Sequence, residues 1–220
     1  MERQSNSDCW YIDSCTEDCE RCTVYTELKY QMENSGLPKA KQRPISLFLG
    51  QANREDTSSF LRLADIRENI VDFVQGGNNL YICSRQPGNG KTSWAIKMLH
   101  TYFHYMAQGN YDNLKGMFVL TSDLLLRLKD FNNPIPKSFK EHLENVDLVI
   151  WDDIAVAGIS QYDYTQLYTI LDKRILAEKS NIYTSNVTTL GDIQEILGAR
   201  LASRIYNTSE IVEFVGKDMR

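Results

Sequence analysis

The sequence predicts an α/β fold: a parallel five-stranded sheet covered by helices on both faces, preceded by a small cysteine-rich N-terminal module. Three observations carry this. From residue 58 onward, short apolar runs alternate with segments of helical periodicity. One strand-to-helix junction holds the glycine-bearing segment Pro87-Gly88-Asn89-Gly90-Lys91-Thr92. Four of the five cysteines (Cys9, Cys15, Cys19 and Cys22) crowd into fourteen residues near the N-terminus.

Taken in order, residues 23–35 read as a helix with Val24, Leu28 and Met32 on one face. Gly36, Pro38 and Pro44 break the chain into a linker. Phe60, Leu63, Ile66, Ile70 and Phe73 repeat at helical spacing, predicting a helix over 58–75 that Gly76-Gly77 stops. Leu80–Cys83 is a short strand, and a helix opens at Gly90 with Ala95, Met98, Leu99, Tyr102 and Met106 as its inner stripe. Strands follow at 117–120, 147–151, 182–184 and 211–215, with helices at 122–130, 162–178 and 190–206 between them. This divides the chain into a module at 1–36, a linker at 37–57 and a core at 58–220.

Composition narrows the class. Residues 1–36 hold eight acidic and three basic side chains, whereas the rest hold equal numbers of each. The net charge of -5 therefore belongs to the N-terminal segment, and nucleic-acid contact has to come from a local patch. No apolar run is long enough to span a bilayer, and Met1–Asp8 carries no apolar signal core, so a cytoplasmic protein without membrane attachment is expected. Without a secretion signal, the cysteine cluster points to metal more than to disulfides.

The segment Arg85–Thr92 sits between a strand and a helix, as a phosphate-binding loop requires. Gly88 and Gly90 let the backbone N–H groups of Gly88, Asn89, Gly90, Lys91, Thr92 and Ser93 wrap a phosphate, and the helix dipole adds to the attraction. Lys91 supplies a point charge to the β- and γ-phosphates of ATP, and the Thr92 hydroxyl is placed for Mg²⁺. Arg85 stands where the usual pattern has its first glycine, so it must take an allowed backbone conformation. In Leu148-Val149-Ile150-Trp151-Asp152-Asp153 a strand ends in two carboxylates. Asp152 is expected near Mg²⁺ through water, and Asp153 to polarise the attacking water. Asn186, after the next strand, is placed to orient that water, although a turn asparagine reads the same way. Arg204 lies near the end of a helix, where an arginine finger reaches a neighbouring subunit's γ-phosphate. A surface salt bridge explains Arg204 as well, and Arg200 is the rival finger.

The loop with Lys91, the Asp152-Asp153 pair, Thr184-Ser185-Asn186 and Leu197-Gly198-Ala199-Arg200-Leu201-Ala202-Ser203-Arg204 together resemble the DnaC/DnaI family of replicative helicase loaders, over about residues 60–220. The resemblance implies an AAA+ P-loop ATPase that oligomerises when ATP-bound and places a DnaB-type helicase on single-stranded DNA. For a phage-encoded chain the compartment would be the bacterial host's cytoplasm. The IstB transposition ATPases share this core, so an ATPase acting on duplex DNA with a transposase is the alternative. With the last strand close to Arg220, no helical lid is expected. A small-molecule kinase would need an acceptor pocket and a lid of arginines, and neither is legible.

The cysteine cluster, the helix after it and Leu37-Pro38-Lys39-Ala40 look like the zinc-bearing N-terminal region that contacts the helicase in this family. The spacing C-x5-C-x3-C-x2-C offers four thiolates to a tetrahedral Zn²⁺, which would supply folding energy that so short a segment lacks. A loose reduced tail is the competing reading. For DNA, Lys129, Phe131, Lys137, Phe139 and Lys140 form a basic-aromatic stretch that either tracks a single strand or forms a solvated loop anchored by phenylalanines.

Overall fold

Five parallel strands lie in the order β2-β3-β4-β1-β5, which matches the expected sheet. The structure is a computed structural model that describes residues 9–11, 22–43, 54–109, 114–130, 132 and 134–216. The strands are β1 (Asn79–Cys83), β2 (Gly116–Leu120), β3 (Leu148–Asp152), β4 (Ser180–Ser185) and β5 (Ser209–Glu213). Because parallel strands need crossover helices, both sheet faces are covered and β1, β3 and β4 are buried almost throughout.

Alternate strand residues divide the core in two. Leu80, Ile82, Phe118, Leu148, Ile150 and Ile182 face a layer of α1 (Thr23–Asn34), α2 (Thr57–Glu68), α3 (Ile70–Gln75) and α4 (Lys91–Ala107). Tyr81, Cys83, Met117, Val149, Trp151 and Tyr183 face α5 (Thr121–Lys129), α6 (Lys137–Asn145), α7 (Gln161–Leu176), α8 (Leu190–Leu197) and α9 (Ala199–Tyr206). All five residues of the expected α4 stripe are buried, and so are Trp94, Ile96 and Phe103. The helix is enclosed on further sides because α1 and α2 pack over it as well as the sheet.

Three expectations need correction. The helix read over 58–75 is two helices broken at Asn69, whose backbone leaves the helical region at φ -106°, ψ 28°. The helix read over 190–206 breaks at Gly198, at φ 77° and ψ 153°, a conformation that glycine alone adopts readily. The Tyr164 ring lies 3.3 Å from where a Cβ would stand at Gly198. Residues 137–145, where the basic-aromatic stretch is read without a helix, form α6; the buried Leu143 ties it to the second core.

The N-terminal helix is joined to the sheet. The apolar side of α1 puts Leu28 and Met32 into the first core. Beyond its end, the Phe118 N–H donates to Ser35 O at 2.7 Å, and the Lys115 N–H donates to Gln31 Oε1 at 2.8 Å. These bonds occupy part of the open edge of β2, which would otherwise template pairing with another chain. Gly36, at φ 79°, lets the chain pass so close that a Cβ there would stand 2.6 Å from Phe118 O.

Arg174 of α7, fully buried, fixes the ends of β3 and β4 away from the site. Its Nη1 donates to Leu143 O and Val146 O, Nη2 to Ser180 O and Nε to Asn181 Oδ1, at 2.7–2.9 Å. Burial pulls its pKa down to about 10. Four acceptors satisfied by one guanidinium make a charge tolerable in this interior. Among the described residues no helix is long and apolar enough to cross a membrane.

Candidate functional site: a phosphate loop facing paired carboxylates

In the strand order, β4 lies between β3 and β1, so the residues that follow these three strands meet at one edge of the sheet. In open α/β sheets this carboxyl edge is where ligands bind. After β1, Gly88 and Gly90 take φ of 77° and 92°, as a loop that turns its N–H groups inward needs. Among the described residues, only Asp153 and Glu178 are non-glycine residues at positive φ, so Arg85 fits its position without left-handed strain. Its side chain is exposed, and Nε donates to Thr188 Oγ1 at 3.3 Å.

Lys91 begins α4 and is buried in the loop. Its Nζ donates to Gln86 O and to Asn89 Oδ1, both at 3.2 Å. Asn89 in turn donates through Nδ2 to Ser84 Oγ, which also accepts from the Gln86 N–H. The ammonium is thus held inside the loop that it serves. Ser93 is half-buried in the first turn of α4.

The two expected halves of the site meet. Thr92 Oγ1 donates to Asp152 Oδ1 at 2.7 Å, and Thr184 Oγ1 donates to the same oxygen at 2.7 Å. Thr184 Oγ1 also accepts from the Asp153 N–H at 3.0 Å, and Asn186 Nδ2 lies 3.5 Å from Asp153 Oδ1. Thr92, Asp152, Thr184, Asp153 and Asn186 therefore form one chain of contacts across α4, β3 and β4. A hydroxyl and a carboxylate in direct contact are hard oxygen donors that suit Mg²⁺. Asp153 stands at φ 56° on the exposed side. Partial desolvation raises its pKa, the neighbouring Asp152 carboxylate raises it further, and Lys91 pulls it back. A carboxylate shifted upward is better suited to taking a proton.

Sequence reasoning missed Thr121 and Ser84, and gave Thr184 no role. Thr121 Oγ1 donates to Asp152 O at 2.9 Å and so fixes the strand end from α5. Thr184 was legible as part of the Thr184-Ser185-Asn186 strand end; its contacts depend on β3 and β4 being neighbours. A cavity of about 410 Å³ beside Thr92 and Asp152 is also lined by Gly36, Pro38 and Lys41, so the segment after α1 reaches the Thr92–Asp152 side of the site.

Other predicted residues lie apart from this network. Arg204 Nη2 is 3.0 Å from Asp172 Oδ1 in its own chain, and Arg200 is exposed one turn earlier on α9. In the basic-aromatic stretch, Lys129 pairs with Asp163 at 2.6 Å and Lys137 with Glu141 at 3.3 Å. Phe139 packs into the second core with the Arg127 guanidinium 5.2 Å from its ring centre, and Lys140 is half-buried. The anchored-phenylalanine reading describes Phe139; Phe131 lies outside the described residues. Of the cysteines, Cys9 is buried and Cys22 is half-buried, its Sγ accepting from the Tyr25 N–H at the start of α1. Cys15 and Cys19 lie outside the described residues. Among the described residues, no three His, Cys, Asp or Glu side chains are grouped to hold a metal.

The sequence model of the family described as IstB-like ATP binding protein matches residues 48–220. The replicative helicase loader DnaC of Buchnera aphidicola subsp. Baizongia pistaciae is 30% identical over 132 residues, which cover 57% of this chain and 49% of that protein. The chain thus spans about half the length of the curated relatives it matches. Among solved structures, the fold is similar to the DnaC helicase loader, with a TM-score of 0.62, 23% identity and coverage of 74% of this chain and 92% of that one. DnaI gives a TM-score of 0.59 at 20% identity, covering 84% and 94%.

Proposed function

The chain belongs to the IstB-like ATP-binding protein family, and on that premise we propose that it is an ATPase that loads a DnaB-type replicative helicase onto single-stranded DNA. Its fold is the AAA+ P-loop fold with a parallel five-stranded sheet. The observation that carries the enzymatic part is the direct Thr92–Asp152 contact, which joins the phosphate loop to the strand carboxylates. The helicase part rests on the relatives named replicative helicase loaders.

In this reading Gly88, Asn89, Gly90, Lys91, Thr92 and Ser93 hold the triphosphate. Thr92 and Asp152 hold Mg²⁺, which screens the phosphate charge when bound. Asp153 accepts the proton of the attacking water, and Asn186 keeps that water and the carboxylate in line. Arg204 acts across a subunit boundary as a finger, so turnover requires an oligomer. ATP holds the oligomer on the helicase, and hydrolysis releases it.

Residues 1–36 carry the helicase contact, followed by a linker at 37–57 and the ATPase core at 58–220. Zn²⁺ on Cys9, Cys15, Cys19 and Cys22 would fix the shape of the first module. The IstB-type alternative, acting on duplex DNA with a transposase, rests on the name of the matching family.

The test is capture of purified DnaB-type helicase by the full chain with ATP, followed by transfer to single-stranded DNA. The expected result is capture by the full chain, its loss on deleting residues 1–36, and about one zinc per full chain by elemental analysis. Failure to bind any DnaB-type helicase, with capture of a transposase on duplex DNA, would replace this reading with the alternative. Absence of zinc would remove the metal and leave the ATPase assignment standing.

A further inference from the structure

Asp172 lies on a firmly held part of α7. Two residues later, Arg174 makes four hydrogen bonds to the segment before β3 and to the start of β4. On the facing helix, Leu201, Ala202 and Ile205 of α9 are fully buried around Arg204. The two side chains therefore project from helices that neither slide nor turn easily. Between them is an ion pair of 3.0 Å, with the Arg204 side chain 41% exposed and that of Asp172 only 23%.

The quality of this contact is informative. Asp172 Oδ1 is buried yet accepts no hydrogen bond from the described residues. The guanidinium compensates its charge by proximity, without an aligned N–H. The neighbouring cation Lys173 is engaged with Glu144 at 2.8 Å. A carboxylate in this position is a poor choice for stability, because a buried oxygen without a hydrogen bond costs more than it returns. As a fixed charge that orients an arginine and leaves its donors unspent, it is well placed.

We infer that Asp172 is a positioning residue for Arg204, holding the guanidinium half-exposed and aimed outward for the γ-phosphate of ATP bound by a second copy of this chain. The inference rests on the reading of Arg204 as a finger. A free arginine must give up side-chain entropy when it meets a phosphate; one already tethered gives up less. Removing the tether should cost about tenfold in any step that needs the finger.

Five full-length proteins test this: the wild type, Asp172→Asn, Arg204→Ala, the double variant, and Asp172→Glu as the conservative control. Turnover of ATP is measured beside the protein concentration at which a non-hydrolysable ATP analogue drives assembly, read by sedimentation. Asp172→Asn should bind the analogue with unchanged affinity, turn over about tenfold more slowly and assemble at about tenfold higher concentration. Asp172→Glu should recover part of both. The double variant should be no worse than Arg204→Ala, because a tether has nothing to act on once the finger is gone. A double variant worse than Arg204→Ala by the full Asp172→Asn factor makes Asp172 merely structural and overturns the inference. So does a defective Arg204→Ala beside an Asp172→Asn protein that matches the wild type. Wild-type turnover and assembly by Arg204→Ala would instead remove the finger reading, and the inference with it.

Discussion

Replacing Asp153 by Asn isolates a single chemical property. The residue sits at φ 56°, and Asn tolerates that left-handed conformation as well as Asp does, so the backbone need not move. The amide keeps the size of the side chain and can still meet Asn186. The Thr184 contact uses the backbone N–H, so it is unaffected. What is lost is the ability to take a proton from water, which general-base catalysis values at about 10²–10⁴ in rate, or roughly 3–5 kcal/mol. The lower half of that range is expected, because Asp153 lies on the exposed side of the site. Binding should survive, since Asp152 keeps its two hydroxyl partners. The raised pKa also fixes the pH dependence. A carboxylate with a folded pKa above its unfolded value favours the folded state below the unfolded pKa and loses that contribution as pH rises through the folded pKa. At neutral pH its charge beside Asp152 therefore works against the fold, and the Asn variant should melt no lower than the wild type. In the wild type, turnover should fall on acidification at a higher pH than for an ordinary carboxylate. The assay is steady-state ATP turnover from pH 4.5 to 8, paired with binding of a fluorescent ATP analogue and thermal denaturation. Wild-type turnover in Asp153→Asn, or lost affinity at unchanged turnover, would refute the assignment and move the base to Asp152.

Lys91→Ala should abolish ATP binding while circular dichroism stays unchanged, because its bonds to Gln86 O and Asn89 Oδ1 lie within the loop; retained affinity would dissolve the site. Gly36→Ala should destabilise the protein by about 2 kcal/mol or more, since the left-handed backbone and the close Phe118 carbonyl both oppose a Cβ. For a chain of this size that is a fall of roughly 4–8 °C in Tm, or early protease cleavage after α1 if the helix detaches first. An unchanged melt and cleavage pattern would mean that α1 does not depend on this crossing.

What the sequence determined by itself was local. Short apolar runs placed the strands and period 3.6 placed most helices, because burial is written in the spacing of apolar residues. The loop around Lys91 and the acids at Asp152-Asp153 were legible because phosphate binding needs glycine, a cation and a helix start within a few residues. The breaks at Asn69 and Gly198 were not, since each continues an apolar stripe, and the turn away depends on what the second half packs against. α6 was hidden because it buries a single core leucine beneath a polar surface. The tertiary structure alone decided the relations between distant residues. Thr184 became a partner of Asp152 and Asp153 only because β4 lies beside β3. α1 reaches the sheet because Gly36 lets Ser35 bond to the edge of β2. Arg204 meets Asp172 because α7 and α9 share one face of the sheet. Spacing along a chain specifies which face of an element is buried, but which charge meets which is fixed only when the elements pack.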